Sequence, residues 1–298
     1  MVKRLISANA SDIRAMSASE LKQSIRASEG RVVMCETVAV RPSFIGDITN
    51  AEIAASFGAD MILLNGVDVL NPEICGLDTQ DDPINQLKHL SGRPIGVNLE
   101  PVDLEANMAQ NRLEIARGRQ VNEDTAKALD ELGFDYVCIT GNPGTGVTVA
   151  QIAKAVALIK EHFSGLIIAG KMHGAGVSEP VAASESLRSY IDAGADILLV
   201  PAVGTVPGFD YDDLKEAVAY AHEHEALVLS AIGTSQEGAD EDVIKRIAID
   251  NKICGVDIQH IGDAGYNSLA PVQNIFAMSN AIRGIRHTVS RMARSVNR

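Results

Sequence analysis

Polar side chains that can transfer protons or bind ligands follow several short apolar runs of this 298-residue sequence. Glu36 lies near the end of one run, Lys171 and His173 follow another, and His260 ends a third. Lysine can form a Schiff base with a carbonyl or stabilise an enolate, whereas glutamate and histidine can transfer protons. These residue types predict acid–base or covalent chemistry if one fold brings them together.

Polar residues also follow the other apolar runs that read as buried strands. In a barrel of parallel strands, the carboxyl ends of the strands surround the active site. Because side chains alternate along a strand, part of any such set points outward instead. The residues at these ends are Glu36, Asn65, Glu100, Thr140, Lys171, His173, Gln259 and His260.

We expect catalytic roles for five of these residues. Lys171 would form a Schiff base or hold a phosphate or enolate by its charge, and the alternative is a lysine that reaches solvent. Glu36 or Glu100 would act as the base, and His260 would donate a proton unless it is a satisfied buried histidine. His173 completes the catalytic set, and substrate binding is expected for Asn65 and Thr140.

A divalent cation is the alternative use of the two glutamates. Carboxylate oxygens bind Mg²⁺ together with water and substrate, so Glu36 and Glu100 could support a magnesium-dependent lyase. His173 and His260 lie on different predicted strands and do not form the paired spacing of a zinc site. The sequence therefore establishes no cofactor, and Mg²⁺ is the one cofactor that remains an alternative.

Two glycine-containing loops follow the last two predicted strands, with the sequences GTSQEG and GDAG. Glycine lets backbone N–H groups enclose an anion, and the loops after the last two strands of a (β/α)8 barrel often bind phosphate. Tight turns without a ligand are the alternative. The expected phosphate-binding residues are Gly233, Thr234, Ser235, Gly262 and Gly265.

The elements that must position these residues repeat along the chain. A helical pattern, then Gly-x-Asp, then an apolar strand occurs at Gly58, Gly133, Gly194 and Gly255. Eight strands that alternate with helices predict a closed TIM (β/α)8 barrel, which we assign to residues 1–298 as a single domain. Residues 1–30 form an N-terminal helical extension with an extra helix at 18–28, and residues 270–294 form a long C-terminal helix weakened at Gly284.

The composition restricts the partners that we expect. The net charge is −13, which argues against binding along nucleic acid, and no apolar run is long enough to cross a membrane. Four cysteines without a C-x-x-C pair indicate reduced thiols and a cytoplasmic protein. Five arginines from Arg283 to Arg298 predict a solvated helix end. We also expect a homo-oligomer.

The two late loops, with GTSQEG and HIGDAG, make the chain resemble the phosphate-binding (β/α)8 barrels. The middle runs ITGNPGTG and IIAGKMHGAGVS are similar to those of BtpA-like barrels, and the chain also resembles relatives called phosphonomutase-like. It differs from true phosphoenolpyruvate mutases because it has no Glu-Asp-Gln metal run. The resemblance implies a barrel with a phosphate site.

These observations favour an enzyme that acts on a small phosphorylated metabolite, either a sugar phosphate or a keto acid phosphate. The expected reaction is an aldolase, lyase or isomerase reaction through an enolate-type intermediate. The first alternative is the magnesium-dependent lyase that uses Glu36 and Glu100. The second is a non-catalytic protein that binds a phosphorylated metabolite or assists assembly on the same barrel.

Overall fold

Eight short apolar segments form parallel strands that close into one barrel, in which β8 pairs with β1. This computed structural model describes residues 2–266 and 268–298. The predicted TIM barrel is confirmed, with the strands in sequence order around the ring. The strands are β1 (Val32–Val38), β2 (Met61–Asn65), β3 (Ile95–Leu99), β4 (Tyr136–Ile139), β5 (Leu166–Gly170), β6 (Ile197–Pro201), β7 (Leu227–Ile232) and β8 (Ile258–Ile261).

A helix follows each strand, and two helices precede β1. The predicted long C-terminal helix is present, and Gly284 interrupts it with a backbone φ of 74°. The N-terminal extension contains the expected helix and a second, shorter one. The helices are α1 (Ala10–Arg14), α2 (Ala18–Arg26), α3 (Asn50–Ser56), α4 (Pro83–Ser91), α5 (Glu123–Glu131), α6 (Val149–His162), α7 (Ser184–Asp192), α8 (Tyr211–Glu223), α9 (Glu241–Ile253) and α10 (Val272–Met292).

The interior of the barrel is apolar along most of its length and is closed at one end. Inward side chains such as Met34, Leu63 and Ile168 form one buried cluster with Leu5 and Ile25 of the N-terminal extension. The extension therefore covers the amino-terminal end of the barrel. The carboxyl end, where the loops after the strands lie, is the end at which the barrel opens into a cavity.

The Gly-x-Asp repeat joins each even strand to the odd strand before it. The backbone N–H of Asp60 donates to the Val33 carbonyl, and its carboxylate accepts from the Val33 N–H, both at 2.8 Å. Each Asp thus forms a two-bond clamp at the amino end of its strand. The same clamps join Asp135 to Ile95, Asp196 to Ile167 and Asp257 to Val228.

The first clamp also holds the C-terminal helix. Arg283 contacts the Asp60 carboxylate at 2.5 Å and Arg291 contacts it at 2.9 Å, and all three side chains are fully buried. The expectation that the C-terminal arginines are solvated is wrong for these two residues. They are buried because α10 packs against the barrel, and their positive charges balance the buried negative charge of Asp60.

The segment of residues 103–121, between β3 and α5, lies across the mouth of the barrel. The N–H of Ala109 donates to the Gly176 carbonyl, and the N–H of Leu113 donates to the Gly144 carbonyl, both at 2.8 Å. These bonds attach the segment to the loops after β4 and β5. No helix in the described part of the chain is long and apolar enough to cross a membrane.

Candidate functional site

A cavity of about 460 Å³ opens at the carboxyl end of the barrel. It lies among the loops after the strands, and the segment that crosses the mouth supplies Ala109 and Gln110 to its wall. Active sites of (β/α)8 barrels lie at this end. The main polar lining residues are Glu36, Asn65, Asn98, Thr140, Asn142, His173, Thr234, Ser235, Glu237 and Asp263.

Strand alternation directs the lining side chains that come from the strands. Glu36 lies two residues after inward-facing Met34, and Thr140 lies two residues after inward-facing Cys138. Side chains two residues apart point to the same face of a strand, so these residues point inward as well. The structure therefore places Glu36, Asn65 and Thr140 at the cavity, as expected from the sequence.

Glu36 lines the cavity and contacts two other buried polar side chains. Asn98 donates a hydrogen bond from Nδ2 to Glu36 Oε1. His260 Nε2 lies 3.2 Å from Glu36 Oε2, although the angle is too poor for a hydrogen bond, and the imidazole is fully buried. His260 therefore does not line the cavity, and it contacts the site through the Glu36 carboxylate, so the expected direct proton transfer from His260 to a substrate does not fit its placement.

Two further carboxylates face the same cavity from the loops after β7 and β8. Asp263 accepts a hydrogen bond from Asn65 at 2.9 Å, and Glu237 accepts one from the Ala264 N–H at 3.0 Å. Burial and then the neighbouring charge of Glu36 raise the pKa of Asp263 to about 7. Burial also raises the pKa of Glu237. Asp263 can therefore change protonation state near neutral pH.

Sequence reasoning missed Glu237 and Asp263 as chemical residues because it assigned their loops to phosphate. They are the acidic residues inside GTSQEG and GDAG, and this was the available signal. It also missed Asn98, which lies inside an apolar strand, and Asn142, which lies in the loop after β4.

His173 lies at the cavity on the loop after β5. Its Nδ1 accepts a hydrogen bond from the Ala175 N–H at 3.0 Å, so Nε2 carries the proton of the neutral ring. Burial is the largest effect on this ring and lowers its pKa. His173 is therefore a neutral N–H donor suited to polarise a ligand carbonyl.

Glu100 does not line the cavity. Its Oε2 accepts from the Asn142 N–H at 2.7 Å, and its Oε1 accepts from Asn142 Nδ2 and from Arg119, both at 2.8 Å. The carboxylate is buried, and hydrogen bonds occupy both oxygens. Glu100 therefore positions the loop after β4, and the expected role of Glu100 as a base does not fit its placement.

Lys171 also lies outside the cavity, which corrects the expectation that it faces the active site. It shares its side of the strand with Ile167 and Ala169, which belong to the layer between strands and helices. Its amine donates to Glu179 Oε1 at 2.8 Å and to the Val147 carbonyl at 2.9 Å, and only 1% of the residue is exposed. Gln259 faces the same outer layer, since it alternates with inward-facing Ile258 and His260.

Four of the five residues expected to bind phosphate line the cavity, namely Gly233, Thr234, Ser235 and Gly262. Gly265 does not, and a Cβ there would lie 2.2 Å from Pro271 Cδ, so packing explains this glycine. Thr234 and Ser235 have backbone φ values of 60° and 67°. A β-branched residue in this conformation is strained, and such strain persists at sites that the surrounding structure holds in place.

The sequence matches the model of one protein family over nearly its whole length. The model of DUF7916, a domain of unknown function, matches residues 6–298. The chain belongs to the DUF7916 family. No curated protein matches its sequence.

Solved structures similar to this DUF7916 chain share its barrel at low sequence identity. The BexX/CysO complex of Amycolatopsis orientalis is 16% identical, with a TM-score of 0.51 over 88% of this chain and 92% of that chain. A 2,3-dimethylmalate lyase of the PEP mutase/isocitrate lyase superfamily is 12% identical, with a TM-score of 0.50 over 85% and 81%. These likenesses show the barrel fold, and they do not support the BtpA-like branch expected from the sequence.

The side chains of this DUF7916 chain do not fit the magnesium site expected from Glu36 and Glu100. Arg119 and Asn142 occupy the oxygens of Glu100, which faces away from the cavity. Among residues 2–266 and 268–298, no group of three or more His, Cys, Asp or Glu side chains has the geometry to hold a metal ion. The placement of these two glutamates therefore does not allow them to bind one Mg²⁺ ion together.

Proposed function

We propose that the protein is an enzyme, a lyase or isomerase, that acts on a small phosphorylated metabolite through an enolate-type intermediate. The observation that carries the proposal is the pair Asp263 and His173 at one cavity. The first has a pKa of about 7, and the second is a neutral N–H donor. An acid or base is most effective when its pKa lies near the working pH.

Asp263 is the proposed general base. At neutral pH a substantial fraction of this carboxylate is ionised, and it can accept a proton from the carbon next to a substrate carbonyl. The bond from Asn65 fixes its orientation. The electrons move to the carbonyl oxygen, which becomes an enolate, and the proton on Asp263 can return to a neighbouring atom or to a leaving group.

His173 is the proposed stabiliser of the enolate oxygen. Its Nδ1 is engaged by the Ala175 N–H, which leaves the Nε2–H for the developing charge. A fixed donor aimed at a developing oxyanion lowers the barrier more than the same donor in water. Burial keeps the pKa of Asp263 high, and the negative charge of Glu36, which lies beside Asn98 and His260, raises it further.

The phosphate group is proposed to lie at the turn formed by residues 233–235. The N–H groups of Gly233, Thr234 and Ser235 donate no hydrogen bond within the described part of the chain. Consecutive free N–H groups in a turn with positive φ form a concave anion site. Because Thr234 and Ser235 are exposed, the charged group would remain near solvent while the carbon skeleton enters the cavity.

The likeness to 2,3-dimethylmalate lyase is compatible with a lyase on this fold, but a fold alone does not fix a reaction. The proposal therefore rests on the cavity. The roles first expected for Lys171 and Glu100 are replaced by positioning roles, because hydrogen bonds hold both side chains outside it.

Proton NMR in D₂O tests the proposed reaction on a panel of sugar phosphates and keto acid phosphates. Wild-type protein is expected to convert one member or to exchange its C–H next to the carbonyl. Asp263→Asn should slow this at least about 100-fold, because general bases contribute that much. Glu223→Gln, on the exposed end of α8, is the matched control and should retain full activity.

Equal rates for wild type and Asp263→Asn would contradict the role of Asp263 as the base. Tight binding of a ligand without exchange or product would favour a metabolite-binding protein.

A further inference from the structure

The cavity carries an excess of negative charge that acid–base chemistry alone does not require. Glu36, Glu237 and Asp263 all line it, and the charges of Glu36 and Glu237 both act on Asp263. Within residues 2–266 and 268–298, no lysine or arginine lines this cavity. A ligand that enters it therefore meets three carboxylates, of which Glu36 has the basic neighbour His260 at 3.2 Å, whereas Glu237 has no ion-pair partner in the described part of the chain.

Buried acceptor atoms at the cavity also lack donors. Asn98 is 4% exposed, and its Nδ2 is used on Glu36, so its Oδ1 remains an acceptor without a partner in the described chain. Glu237 is 2% exposed, and its Oε2 has no hydrogen-bond partner either. A buried acceptor without a donor costs about 1–3 kcal/mol, which a ligand with N–H groups can recover.

The type of cation follows from what the wall does not contain. No Phe, Tyr or Trp of the described residues lines the cavity, and the chain has no Trp at all. Quaternary ammonium groups are recognised by aromatic faces, so this wall does not suit them. A primary ammonium group has three N–H donors and fits carboxylate and amide oxygens.

We propose that the substrate carries a primary ammonium group, which lies among Glu237, Asp263 and the Asn98 carbonyl oxygen. Together with the phosphate at residues 233–235 and the carbonyl that the enolate requires, this makes the substrate class a small phosphorylated amine that also carries a carbonyl group. This substrate assignment deepens the proposed function, and it depends on that function only for the phosphate and carbonyl groups. The ammonium end depends only on the acceptors named here.

Calorimetric binding of two matched probes tests the ammonium group. O-phosphoethanolamine and ethyl phosphate share the phosphate and differ in the amine. We expect wild-type protein to bind the first at least about tenfold more tightly, because one charge-assisted contact contributes that much. Glu237→Gln should reduce this preference to less than about threefold while the affinity for ethyl phosphate stays the same or rises, because a repelling charge is removed. Glu223→Gln should keep the full preference.

The outcomes separate the two parts of the account. Equal affinity for both probes in wild-type protein overturns the ammonium proposal and leaves the phosphate site in place. Binding of ethylammonium without binding of either phosphate supports the ammonium site and contradicts the phosphate end of the proposed function. If wild-type protein prefers ethyl phosphate to O-phosphoethanolamine, and does so only with added Mg²⁺, the ammonium proposal is overturned. A metal ion would then occupy the carboxylates. Melting temperatures of both variants within a few degrees of wild type confirm that they fold.

Discussion

At the scale of single residues, Asp263 carries the strongest consequence of the cavity. Its pKa is raised from 3.8 to about 7, so between these values the folded protein binds a proton that the unfolded chain releases. The Asp263 contribution to stability is therefore most favourable below about pH 4 and is lost as the pH rises toward 7. Above pH 7, the folded protein retains a buried charge that opposes folding.

Asp263→Asn should therefore stabilise the protein at pH 8 and not at pH 4. The amide oxygen can still accept the bond from Asn65, whereas the buried charge is gone. We expect a gain of about 1–3 kcal/mol at pH 8, measured by urea denaturation at both pH values. Asp47→Asn, at an exposed position, is the control and should show no such pH dependence. A variant less stable than wild type at pH 8 would show that the ionised carboxylate makes a stabilising contact instead.

Lys171 is a positioning residue in this structure, because its amine bridges Glu179 and the Val147 carbonyl beneath the loop that holds His173. Lys171→Met should destabilise the protein by about 3 kcal/mol, since it leaves Glu179 without its buried partner. A double-mutant cycle with Glu179→Gln should give a coupling of about 1–3 kcal/mol in urea denaturation. A borohydride-trapped substrate adduct on Lys171 would contradict this placement.

At the scale of elements, the four Asp clamps have the same backbone bonds but different surroundings. Asp60 is fully buried between Arg283 and Arg291, whereas Asp257 pairs with His222, whose side chain is 43% exposed. Asp60→Asn should cost about 3–5 kcal/mol, because two buried arginines lose their counter-charge. Asp257→Asn is the matched comparison and should cost clearly less, since its partner can be solvated. Equal losses of unfolding free energy would mean that the clamp bonds, and not the buried charges, determine the effect.

The same repeat explains how much of the fold could be predicted. Gly-x-Asp before each even strand indicated four repeated βαβα units, and the apolar runs predicted the eight strands of the closed barrel. The direction in which a strand side chain points, into the barrel or toward the helices, was the least predictable feature of the site. Inward Glu36 and outward Lys171 both follow apolar runs, and only the observed alternation separates them. Asn98 could not be found this way because it lies inside its strand and not after it.

Loop residues were predicted least well. Glycines indicate where a chain can turn, but the position of a side chain within a loop depends on contacts from other loops. The carboxylates of Glu237 and Asp263 reach the cavity because Ala264 and Asn65 hold them there, and both partners are distant in sequence from the residue they hold. No local pattern encodes such contacts.

At the scale of the whole molecule, the two ends of the barrel have separate tasks. The N-terminal extension buries Leu5, Leu21 and Ile25 against the barrel interior, while the ligand cavity lies at the opposite mouth. Ile25→Ala should cost about 2–5 kcal/mol of unfolding free energy through the cavity that it leaves. The affinity for phosphorylated ligands should change by less than about twofold, because substitutions at distant sites act independently. A large loss of affinity in a folded variant would show that the two ends are coupled.

A crystal structure with a bound phosphorylated amine tests the central claim most directly, since it locates the ligand in the barrel. We expect the phosphate within hydrogen-bond distance of the N–H groups of residues 233–235, with the amine toward Glu237 and Asp263. A ligand bound outside the mouth of the barrel, or a phosphate held by Lys171, would contradict it.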